Sequence, residues 1–398
     1  MSTSTLSEIV EAWGGLIQTG PFGSQLHQYD YSEQGIPVVM PKDIRNGRVD
    51  ESGIARIPEG KASQLSRHFL KAGSVVFPRR GEISKCAYIN EEQAGFLCGT
   101  GCIKIEPPEE KLRSKFLFYF LGLRQSVEWL ERNAVGTTML NLNTKILGGL
   151  KVTLFASKKQ DEIVETLSAY DDLIENNRRR IQLLEKAARL LYKEWFVHLR
   201  FPGHEHTQII NGVPERWEKK PLREIADVTM GQSPKSIYYN KDGNGLPFHQ
   251  GVTNFGVRFP THQTYCTVQN RIAKPGDILF SVRAPVGRIN ITHDKIVIGR
   301  GLAAIRSICD HQNYLFYALK SHFFKEDMIG GGAIFAAITK KDLHGVELIQ
   351  PTDRIAAMFM EHVFPIDLQI ANLHQTIERL AKARDLLLPK LMNGEVAV

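Results

Sequence analysis

The chain has 398 residues, of which 42% are hydrophobic and 23% charged, and its formal net charge is +7. This composition provides enough apolar side chains for ordinary cores and excludes wholesale disorder, while the length predicts two or three domains. No apolar run reaches the roughly 20 residues that a membrane span needs, and the N-terminal segment lacks the pattern of a signal peptide. The five cysteines are too few for a disulfide framework, so we expect a reduced, cytoplasmic protein.

Two regions of the chain have the composition of globular domains. Short β-branched and aromatic runs, broken by Gly, Pro, Asn and Asp, fill residues 1–155 and again residues 201–350. This pattern is typical of strands and turns, and helical patches within both regions make them α+β. We therefore predict a first domain at 1–155, a long helix at 156–200, a second domain at 201–350 and a C-terminal long helix at 351–398.

The first long segment carries a regular apolar pattern. A 4,3,4,3 spacing predicts the a/d seam of a coiled coil with one polar residue in it. Ser157 and Gln160 predict a capping box at the start of the helix. The seam positions are Ile163, Leu167, Tyr170, Ile174, Asn177, Ile181, Leu184, Ala188, Leu191 and Trp195.

The C-terminal segment repeats this seam. Pro365 predicts a kink or a late start of the helix, and Pro389 with Gly394 predicts its end. Because a narrow seam needs a partner, we expect the two helices to pair antiparallel; the alternative is that each packs on its own domain as a surface helix. The seam positions are Ala356, Phe359, Val363, Ile366, Ile370, Leu373, Ile377, Leu380, Arg384, Leu387 and Leu391.

The two halves of the chain are similar to each other. Residues 73–90 and 276–292 share a glycine, two aliphatic residues, a phenylalanine and an arginine-containing turn. Gly99-Thr100-Gly101 corresponds to Gly299-Arg300-Gly301, and 142–154 corresponds to 338–350. This self-similarity predicts an internal duplication, in which each copy is a globular region followed by one long helix.

The basic excess lies on the globular regions. Residues 1–155 carry 18 basic and 16 acidic side chains, residues 201–350 carry 18 and 13, and the two helical segments cancel each other. This distribution suits a protein that binds a polyanion. Ordinary cytosolic domains often show a similar surplus, so charge alone does not decide the function.

Motifs that would indicate an enzyme are not found in the sequence. It contains no phosphate-binding G-x-x-x-x-G-K-[ST] loop, no G-x-S-x-G elbow and no Asp/Asn-Pro-Pro-aromatic tetrapeptide. Cys86, Cys98 and Cys102 could supply three zinc ligands, but a structural zinc site needs four ligands with tight spacing. We therefore expect a binding protein that holds no metal.

Four kinds of stretch recur in order along the chain. They are residues 17–26 with 35–44, the Gly-(Ser/Asp)-aliphatic-aliphatic-Phe repeat at 73–77 and 276–280, the Gly-rich turns at 135–150 and 330–346, and the segments that lead into each long helix. Each stretch alone is loose, but their order and duplication make the pattern specific. Over essentially the full chain, this pattern resembles the specificity (S) subunits of type I restriction–modification enzymes.

The resemblance implies two similar target recognition domains, each reading one half of a split, asymmetric sequence in double-stranded DNA. It implies that two antiparallel coiled-coil helices join these domains and set the gap between the half-sites. It also implies docking of two modification (methyltransferase) subunits, which hold S-adenosylmethionine, and of restriction subunits, which use ATP with Mg. This chain itself is expected to be non-catalytic and to bind no cofactor.

Two other functions stay open from the residues alone. The first alternative is a two-headed coiled-coil scaffold that binds proteins and has no DNA specificity. The second is an enzyme with an unrecognised site. Steep weakening of DNA binding by salt would favour the hypothesis of a DNA-binding protein over that of a protein scaffold. Catalysis by the isolated chain would favour the hypothesis of an enzyme.

Candidate DNA-binding residues were chosen by side-chain chemistry and loop context. Phosphates are bound by Lys, Arg, hydroxyls and free backbone N–H groups, whereas base edges are read by Arg, Lys, Asn or Gln. Each loop has a plain alternative as a turn that only shapes its domain. In the first domain the candidates are Gly23, Ser24, Gln25, Lys42, Arg45, Arg79, Arg80, Thr137, Thr138, Asn141 and Asn143. In the second they are Gln232, Ser233, Lys235, Tyr238, Tyr239, Gln250, Asn254, Arg283 and Arg288. Helix pairing and partner docking are assigned to Ile174, Asn177, Ile181, Leu184, Ile370, Leu373, Ile377 and Leu380.

Overall fold

The structure is a computed structural model that describes residues 2–136, 140–323 and 337–396. The chain divides into two compact units, of which unit 1 comprises Met1–Asn176 with Thr376–Val398 and unit 2 comprises Asn177–Gln375. Each unit therefore contains one globular region and part of both long helices. The predicted domain boundaries, which treat each helix as a separate segment, stay a prediction. No helix in the described ranges is long and apolar enough to cross a membrane.

Unit 1 combines short strands and short helices ahead of the first long helix. Its strands are β1 (Ser2–Thr5), β2 (Leu16–Thr19), β3 (Ile36–Val39), β4 (Ile44–Arg45), β5 (Arg48–Val49), β6 (Ala55–Ile57), β7 (Val75–Pro78), β8 (Ala87–Tyr88), β9 (Leu97–Cys98), β10 (Cys102–Glu106) and β11 (Lys151–Leu154). Its helices are α1 (Leu6–Trp13), α2 (Glu59–Gln64), α3 (Ser114–Leu121), α4 (Arg124–Asn133) and α5 (Thr144–Gly148), followed by the long α6 (Ser157–Tyr192).

Two sheets form the body of unit 1. One is antiparallel, with strand order β2-β10-β7-β8, and the other has the order β6-β3-β9 with β3 and β9 parallel. Alternate residues such as Phe77 and Ile103 are fully buried in the core that the first sheet shares with α1 and α3. Strand β1 pairs with β11 and so joins the start of the domain to the strand that precedes α6.

Unit 2 begins inside α6 and ends inside the second long helix. Its strands are β12 (Ile209–Ile210), β13 (Val213–Pro214), β14 (Glu218–Pro221), β15 (Ala226–Met230), β16 (Tyr239–Asn240), β17 (Leu246–His249), β18 (Tyr265–Cys266), β19 (Ile272–Ala273), β20 (Ile278–Ser281), β21 (Ile289–Ile291), β22 (Ile296–Ile298), β23 (Leu302–Ser307) and β24 (Glu347–Gln350). Its helices are α7 (Leu222–Ile225), α8 (Gln312–Phe323), α9 (Lys340–His344) and the long α10 (Asp353–Met392).

The topology of unit 2 repeats that of unit 1. The sheet β15-β23-β20-β21 corresponds to β2-β10-β7-β8, and the parallel pair β17–β22 corresponds to β3–β9. Strand β14 pairs with β24 as β1 pairs with β11. The internal duplication and the α+β class predicted from the sequence are therefore confirmed.

The predicted seams lie on the buried sides of the two long helices. Every seam residue of α6 and α10 is buried or half-buried. Among the residues assigned to pairing, Ile174, Asn177, Ile181, Ile370 and Leu373 are at most 8% exposed. The remaining three are half-buried, namely Leu184, Ile377 and Leu380.

The helix ends differ from their prediction. Gln160 does not form a capping box: its fully buried side chain donates to Lys111 O and Phe155 O and accepts from Arg113 N, each at 2.9 Å. Gln160 therefore fastens the start of α6 to the domain.

Helix α10 also passes through the residue predicted to delay it. It begins at Asp353 and continues through Pro365, because buried Phe359, Val363 and Ile370 on either side hold it in the core. It continues past Pro389 as well and ends at Met392, shortly before Gly394, which has a left-handed φ of 73°.

Within each unit the two long helices run antiparallel. In unit 1, Asp171 of α6 accepts a hydrogen bond from Arg384 of α10 (2.5 Å), while Ile163 and Leu391 share one core. In unit 2, Tyr192 of α6 packs edge-on against Phe359 of α10, with 6.0 Å between the ring centroids. Early residues of α6 therefore lie beside late residues of α10 and the reverse, so the predicted antiparallel pairing is confirmed.

A buried polar network joins the helices to the domain of unit 2. Arg258 is 2% exposed, and its guanidinium contacts Glu185 of α6 (2.8 Å) and Asp367 of α10 (2.5 Å). Tyr317 of α8 donates to Asp367 (2.7 Å), and Lys320 donates to Glu185 (2.9 Å). Two cations therefore balance two carboxylates. Burial alone would raise the pKa of Glu185, but Arg258 and Lys320 outweigh it and lower that pKa.

Unit 1 contains a related network. Tyr119 of α3 donates to Asp171 of α6 (2.6 Å), as Tyr317 of α8 donates to Asp367 of α10. Arg384 of α10 contacts the other oxygen of Asp171, and Arg48 of β5 pairs with Glu175 of α6. Each domain therefore holds the helix that follows it by a tyrosine–aspartate hydrogen bond.

Replacing Arg258 by Met should lower the free energy of unfolding of unit 2 by about 3–5 kcal/mol, because Asp367 would lose its cation in this network and Glu185 would keep only Lys320. The measurement is urea unfolding of the full chain in a W13F/W129F background, in which Trp195 and Trp217 report on unit 2. Tyr317→Phe, which removes one hydroxyl, should cost less, about 1–2 kcal/mol. Arg223→Ala, at an exposed helix position, is the control; equal effects of R258M and R223A would contradict the interpretation.

Candidate nucleic-acid interface

In unit 1, several loops meet beside the carboxyl ends of β2, β3, β7 and β9. Gly20, after β2, lies so close to Gly99, after β9, that a Cβ on Gly20 would be 2.0 Å from the Gly99 carbonyl oxygen. Gly20 N donates to Cys102 O (2.9 Å), and Arg79 N donates to Gly101 O (2.6 Å). Glycine is therefore required where these loops touch. We call this surface loop face 1 and define it as residues 20–25, 40–45, 79–81, 99–101 and 140–143.

Unit 2 builds the same surface from the corresponding loops. A Cβ on Gly231 would lie 2.2 Å from the Gly299 carbonyl oxygen. Gly231 N donates to Leu302 O, and Val282 N donates to Gly301 O, both at 2.9 Å. The backbone contacts of the two loop surfaces therefore correspond. We call this surface loop face 2 and define it as residues 231–239, 249–256, 282–288, 299–301 and 337–339.

The basic candidates on loop face 1 differ in their availability. Lys42 has 64% of its side chain exposed, with Asp43 at 3.9 Å, and Arg80 is exposed without an ion pair to any residue that the structure describes. Arg45 is exposed but contacts Asp50 at 3.1 Å. Lys42 and Arg80 are therefore better placed than Arg45 to neutralise a phosphate.

Two polar candidates of loop face 1 are engaged within their own loops. Gln25 Oε1 accepts from Phe22 N (3.2 Å), and Asn143 Oδ1 accepts from Ile146 N (2.8 Å), which caps the start of α5. Gly23 and Ser24 are exposed beside Gln25. The candidates Thr137 and Thr138 lie outside the described residues.

Three polar atoms of loop face 1 are buried without a hydrogen-bond partner in the described part of the chain. They are Arg79 Nε, Thr100 Oγ1 and Asn141 Oδ1. The Arg79 guanidinium lies 5.7 Å from the centroid of the Phe22 ring, and Phe22 is 53% exposed. Because buried polar groups normally have partners, this cluster is a place where a polar ligand would satisfy unpaired atoms.

On loop face 2 the structure brings Ser233 and Gln250 together. Ser233 Oγ donates to Gln250 Oε1 (2.8 Å) and accepts from Arg300 N (3.1 Å). Gln250 and Arg300 are exposed. The backbone of Arg300 and the side chains of Ser233 and Gln250 therefore meet at one point of the surface.

Tyr238 and Tyr239 of loop face 2 have different environments. The Tyr239 ring stacks on Phe248 with 4.4 Å between centroids, and its hydroxyl donates to Pro234 O (2.8 Å). Burial raises the pKa of Tyr239. Tyr239 therefore supports the loop, whereas Tyr238 is 39% exposed and available to a ligand.

The remaining candidates of the second domain lie around this loop. Lys235, Arg283 and Arg288 are exposed and form no ion pair within the described ranges, and Gln232 is exposed as well. Asn254 is half-buried, and its carbonyl oxygen accepts from Thr261 N (2.9 Å). Loop face 2 thus combines three unpaired cations with amide side chains, the chemistry that phosphate and base contacts need.

Three linked side chains lie beneath loop face 2. His262 Nε2 contacts Asp294 (3.0 Å), and His262 Nδ1 contacts His249 Nε2 (2.8 Å). In its neutral form, His262 can donate to the carboxylate only from Nε2, and its Nδ1 then accepts from His249 Nε2, which assigns one tautomer to each ring. Burial and the neighbouring His262 lower the pKa of His249 to about 4. His249 is therefore neutral at neutral pH.

Sequence reasoning missed several residues of these surfaces. Phe22, Thr100 and Arg300 were not among the candidates, although the Gly-Thr-Gly and Gly-Arg-Gly repeats contain the last two. The signal available was the position itself: a side chain held between two glycines of a tight turn is displayed at the surface. His249 and Arg258 give no such signal, because their partners are distant in the sequence.

The buried cysteines have no sign of reactivity. Burial raises the pKa of the Cys86 and Cys98 thiols to about 12, and Cys102 is fully buried beside them. Within the described ranges, no group of three or more His, Cys, Asp or Glu side chains is arranged to hold a metal ion.

These features define a class of protein, in which two duplicated α+β domains each present a loop surface and are joined by paired helices. The family model for the type I restriction modification DNA specificity domain matches residues 3–186 and again 214–380. The chain belongs to this family, and the resemblance predicted from the sequence is confirmed.

Relatives and a solved structure agree with this assignment. The putative type I restriction enzyme MjaX specificity subunit of Methanocaldococcus jannaschii is 30% identical, with 92% of this chain and 88% of the relative covered. The type I restriction enzyme MjaIX specificity subunit of the same organism is 26% identical, with 93% and 88% covered. The crystal structure of the type I restriction-modification system S subunit from M. genitalium has a TM-score of 0.53 at 18% identity, with 98% and 95% covered, and supports the fold.

These relatives decide between the predicted functions. Each of them is named a specificity subunit, so the prediction of a specificity subunit rather than a catalytic one is confirmed. The scaffold without DNA specificity is set aside on the same ground. Which loop residues contact DNA stays a prediction.

Lowering the pH from 7 to 5 should destabilise unit 2 by about 2 kcal/mol through His249. The unfolded chain takes up a proton near pH 6.5, whereas the folded pKa is about 4, so stability present above pH 6.5 is lost as the pH falls toward 4. His249→Gln should remove this part of the pH dependence, measured by urea unfolding with Trp195 and Trp217 as reporters. Exposed His206→Gln is the control, and an unchanged pH slope in H249Q would refute the assignment.

Proposed function

We propose that this chain reads a two-part, asymmetric DNA target, with loop face 1 contacting one part and loop face 2 the other. The observation that supports this most strongly is that one backbone construction occurs twice and carries different side chains each time. A duplicated surface with identical side chains would suit two identical half-sites, whereas different side chains suit two different ones.

The charges on the two surfaces support contact with the DNA backbone. Arg80 on loop face 1 and Arg283 on loop face 2 are exposed, without ion pairs to described residues, and occupy corresponding positions. Both backbones form bridges at these positions, Arg80 with Asn141 and Arg283 with Ala337. A cation at the same place on each domain is suited to hold a phosphate beside the bases being read.

The chain is proposed to supply sequence recognition while its partners supply chemistry. Two modification subunits would hold S-adenosylmethionine, and restriction subunits would use ATP with Mg. The exposed side of α6 offers a surface for a partner helix, because Leu183 and Leu190 are 67% and 48% exposed and lie one heptad apart, opposite the buried seam. On α10, Phe364 and Leu368 form a second exposed apolar pair, 58% and 51% exposed.

The direct test of the function maps methylated adenines in host DNA with and without this chain. We expect one asymmetric, interrupted motif to be methylated when the chain is present and to disappear when it is deleted. A methylation pattern that does not depend on the chain would refute the proposed function.

A second prediction concerns salt. Each phosphate contact contributes a slope of about 0.9 to the fall of log K with log salt concentration. Replacing Arg80 or Arg283 by Ala in the complex with modification subunits should therefore reduce this slope by about 1 and leave the recognised sequence unchanged, as measured by fluorescence anisotropy. Exposed Arg223→Ala removes the same charge far from the loops and should leave the slope unchanged; an equal effect of all three variants would contradict the phosphate assignment.

A third prediction concerns docking. Leu183→Glu with Leu190→Glu should abolish co-purification with the modification subunits, because two charges would be placed in an apolar interface. Circular dichroism should show that the helix content is unchanged, since both side chains are exposed. Exposed Gln182→Glu, on the same helix, should co-purify normally; retention of the complex by the double variant would locate docking elsewhere.

A further inference from the structure

The two loop faces carry three pairs of corresponding positions. Phe22 is the second residue after Gly20, and Ser233 is the second residue after Gly231, the two glycines that pack against the opposite turn. Their surroundings therefore match. Yet one is a half-exposed aromatic ring and the other a hydroxyl.

The second pair is defined by the parallel strands. Met40 follows Val39 of β3, whose carbonyl accepts from Gly99 N at 2.9 Å. Gln250 follows His249 of β17, whose carbonyl accepts from Gly299 N at 2.8 Å. A Cβ on Gly99 would lie 2.6 Å from Met40 Sδ, and one on Gly299 would lie 2.8 Å from Gln250 Oε1. The two side chains thus pass the same glycine on the way to the surface.

The third pair lies in the turns that are flanked by two glycines. Thr100 lies between Gly99 and Gly101, and Arg300 lies between the corresponding glycines of unit 2. Both turns close through a hydrogen bond to the carbonyl of the first glycine, from Cys102 N (3.1 Å) and from Leu302 N (3.0 Å). Thr100 and Arg300 therefore also occupy equivalent positions.

The set on loop face 2 is rich in donors. Gln250 Oε1 already accepts the Ser233 hydroxyl, so the amide of Gln250 presents mainly its N–H groups to a ligand. The Arg300 side chain is exposed and forms no hydrogen bond or ion pair with a described residue, while its backbone N–H donates to Ser233 Oγ. Guanine offers two acceptors, N7 and O6, on its major-groove edge, and Arg is the side chain that most often reads them.

The set on loop face 1 is mainly apolar. Phe22 is 53% exposed, with the Arg79 guanidinium against its ring, and Met40 is half-buried and packs against the apolar cluster that contains Leu26 and Val38. Thr100 adds a methyl group, while its hydroxyl is buried without a partner among the described residues. In the major groove, an apolar surface fits the C5-methyl group of thymine.

We propose that these three positions are the base-reading positions of each domain, and that loop face 2 selects a guanine through Gln250 and Arg300 while loop face 1 selects a thymine through Phe22 and Met40. This inference rests on the proposed function and adds to it the chemical identity of one base in each half-site.

The test uses the full chain in complex with its modification subunits and a duplex that carries the methylated motif. Each guanine is replaced in turn by 7-deazaguanine, which lacks N7, and each thymine by deoxyuridine, which lacks the methyl group. For the unchanged complex we expect one deazaguanine position in one half-site to weaken binding by about 10-fold, because it removes one acceptor of a bidentate contact. One deoxyuridine position in the other half-site should weaken binding by about fourfold, because it removes one buried methyl group.

The variants connect each position to its side chain. Arg300→Ala should weaken binding to the unmodified duplex by a similar factor and become insensitive to the deazaguanine, while keeping its sensitivity to deoxyuridine. Phe22→Ala should become insensitive to the deoxyuridine, while keeping its sensitivity to the deazaguanine. Arg223→Ala and Trp13→Ala, which remove exposed side chains away from the loop faces, should retain both sensitivities, and thermal unfolding checks that all variants are folded.

Several results would overturn the inference while the proposed function stands. One is a complex that discriminates between sequences but whose R300A and F22A variants keep both sensitivities. Another is an equal weakening on every duplex, which would make these residues phosphate contacts. A third is that both variants affect the same half-site. If the unchanged complex shows no sequence preference at all, the proposed function fails together with the inference.

Discussion

In each unit one aspartate of the long helix that follows the domain binds both a buried tyrosine and an arginine, and this shared carboxylate is the constraint on which the attachment of the helix depends. Tyr119 bonds Asp171 in unit 1, and Tyr317 bonds Asp367 in unit 2. A buried carboxylate is costly unless it is paired, and each of these also receives an arginine. Because only one rotation of the helix satisfies all these partners, the bond determines which face of the helix meets its domain. The apolar seams on that face then complete the core.

The loop faces are likewise held by a small number of fixed contacts. The sheet of each domain carries its loop face at the carboxyl ends of neighbouring strands, where two glycines lie in contact. The sheet and the short turns fix the backbone, so the loop side chains are the part that can vary. The backbone arrangement can therefore be duplicated while the side-chain chemistry differs, as the contrast between Phe22 and Ser233 illustrates. The histidine chain beneath loop face 2 is a feature of one copy, built on side chains that the other copy does not share.

Sequence patterns predicted the large features of the fold and the family. The duplication, the α+β class and the antiparallel seams could be read because they depend on periodicity and composition, which are local properties. The errors arose where tertiary contacts outweighed local preference. Gln160 has the spacing of a capping residue, but the backbone of the preceding domain offers it three partners. Pro365 interrupts one backbone hydrogen bond, but apolar side chains buried on both sides of it keep α10 continuous.

For the site, the sequence by itself determined the kinds of side chain that the loops contain, the repeat in which they occur and the family to which the chain belongs. Only the tertiary structure decided which of them are available. Asn143 and Tyr239 stay predicted DNA-binding residues, but the structure shows that the Asn143 side-chain oxygen caps α5 and that the Tyr239 ring stacks on Phe248. Arg300 lies in a Gly-Arg-Gly turn of the sequence, but only the fold places it beside Ser233 and Gln250. The physical reason is that a polar side chain can bind a ligand only if the fold leaves its hydrogen-bonding groups unused, and their partners come from strands far apart in the chain.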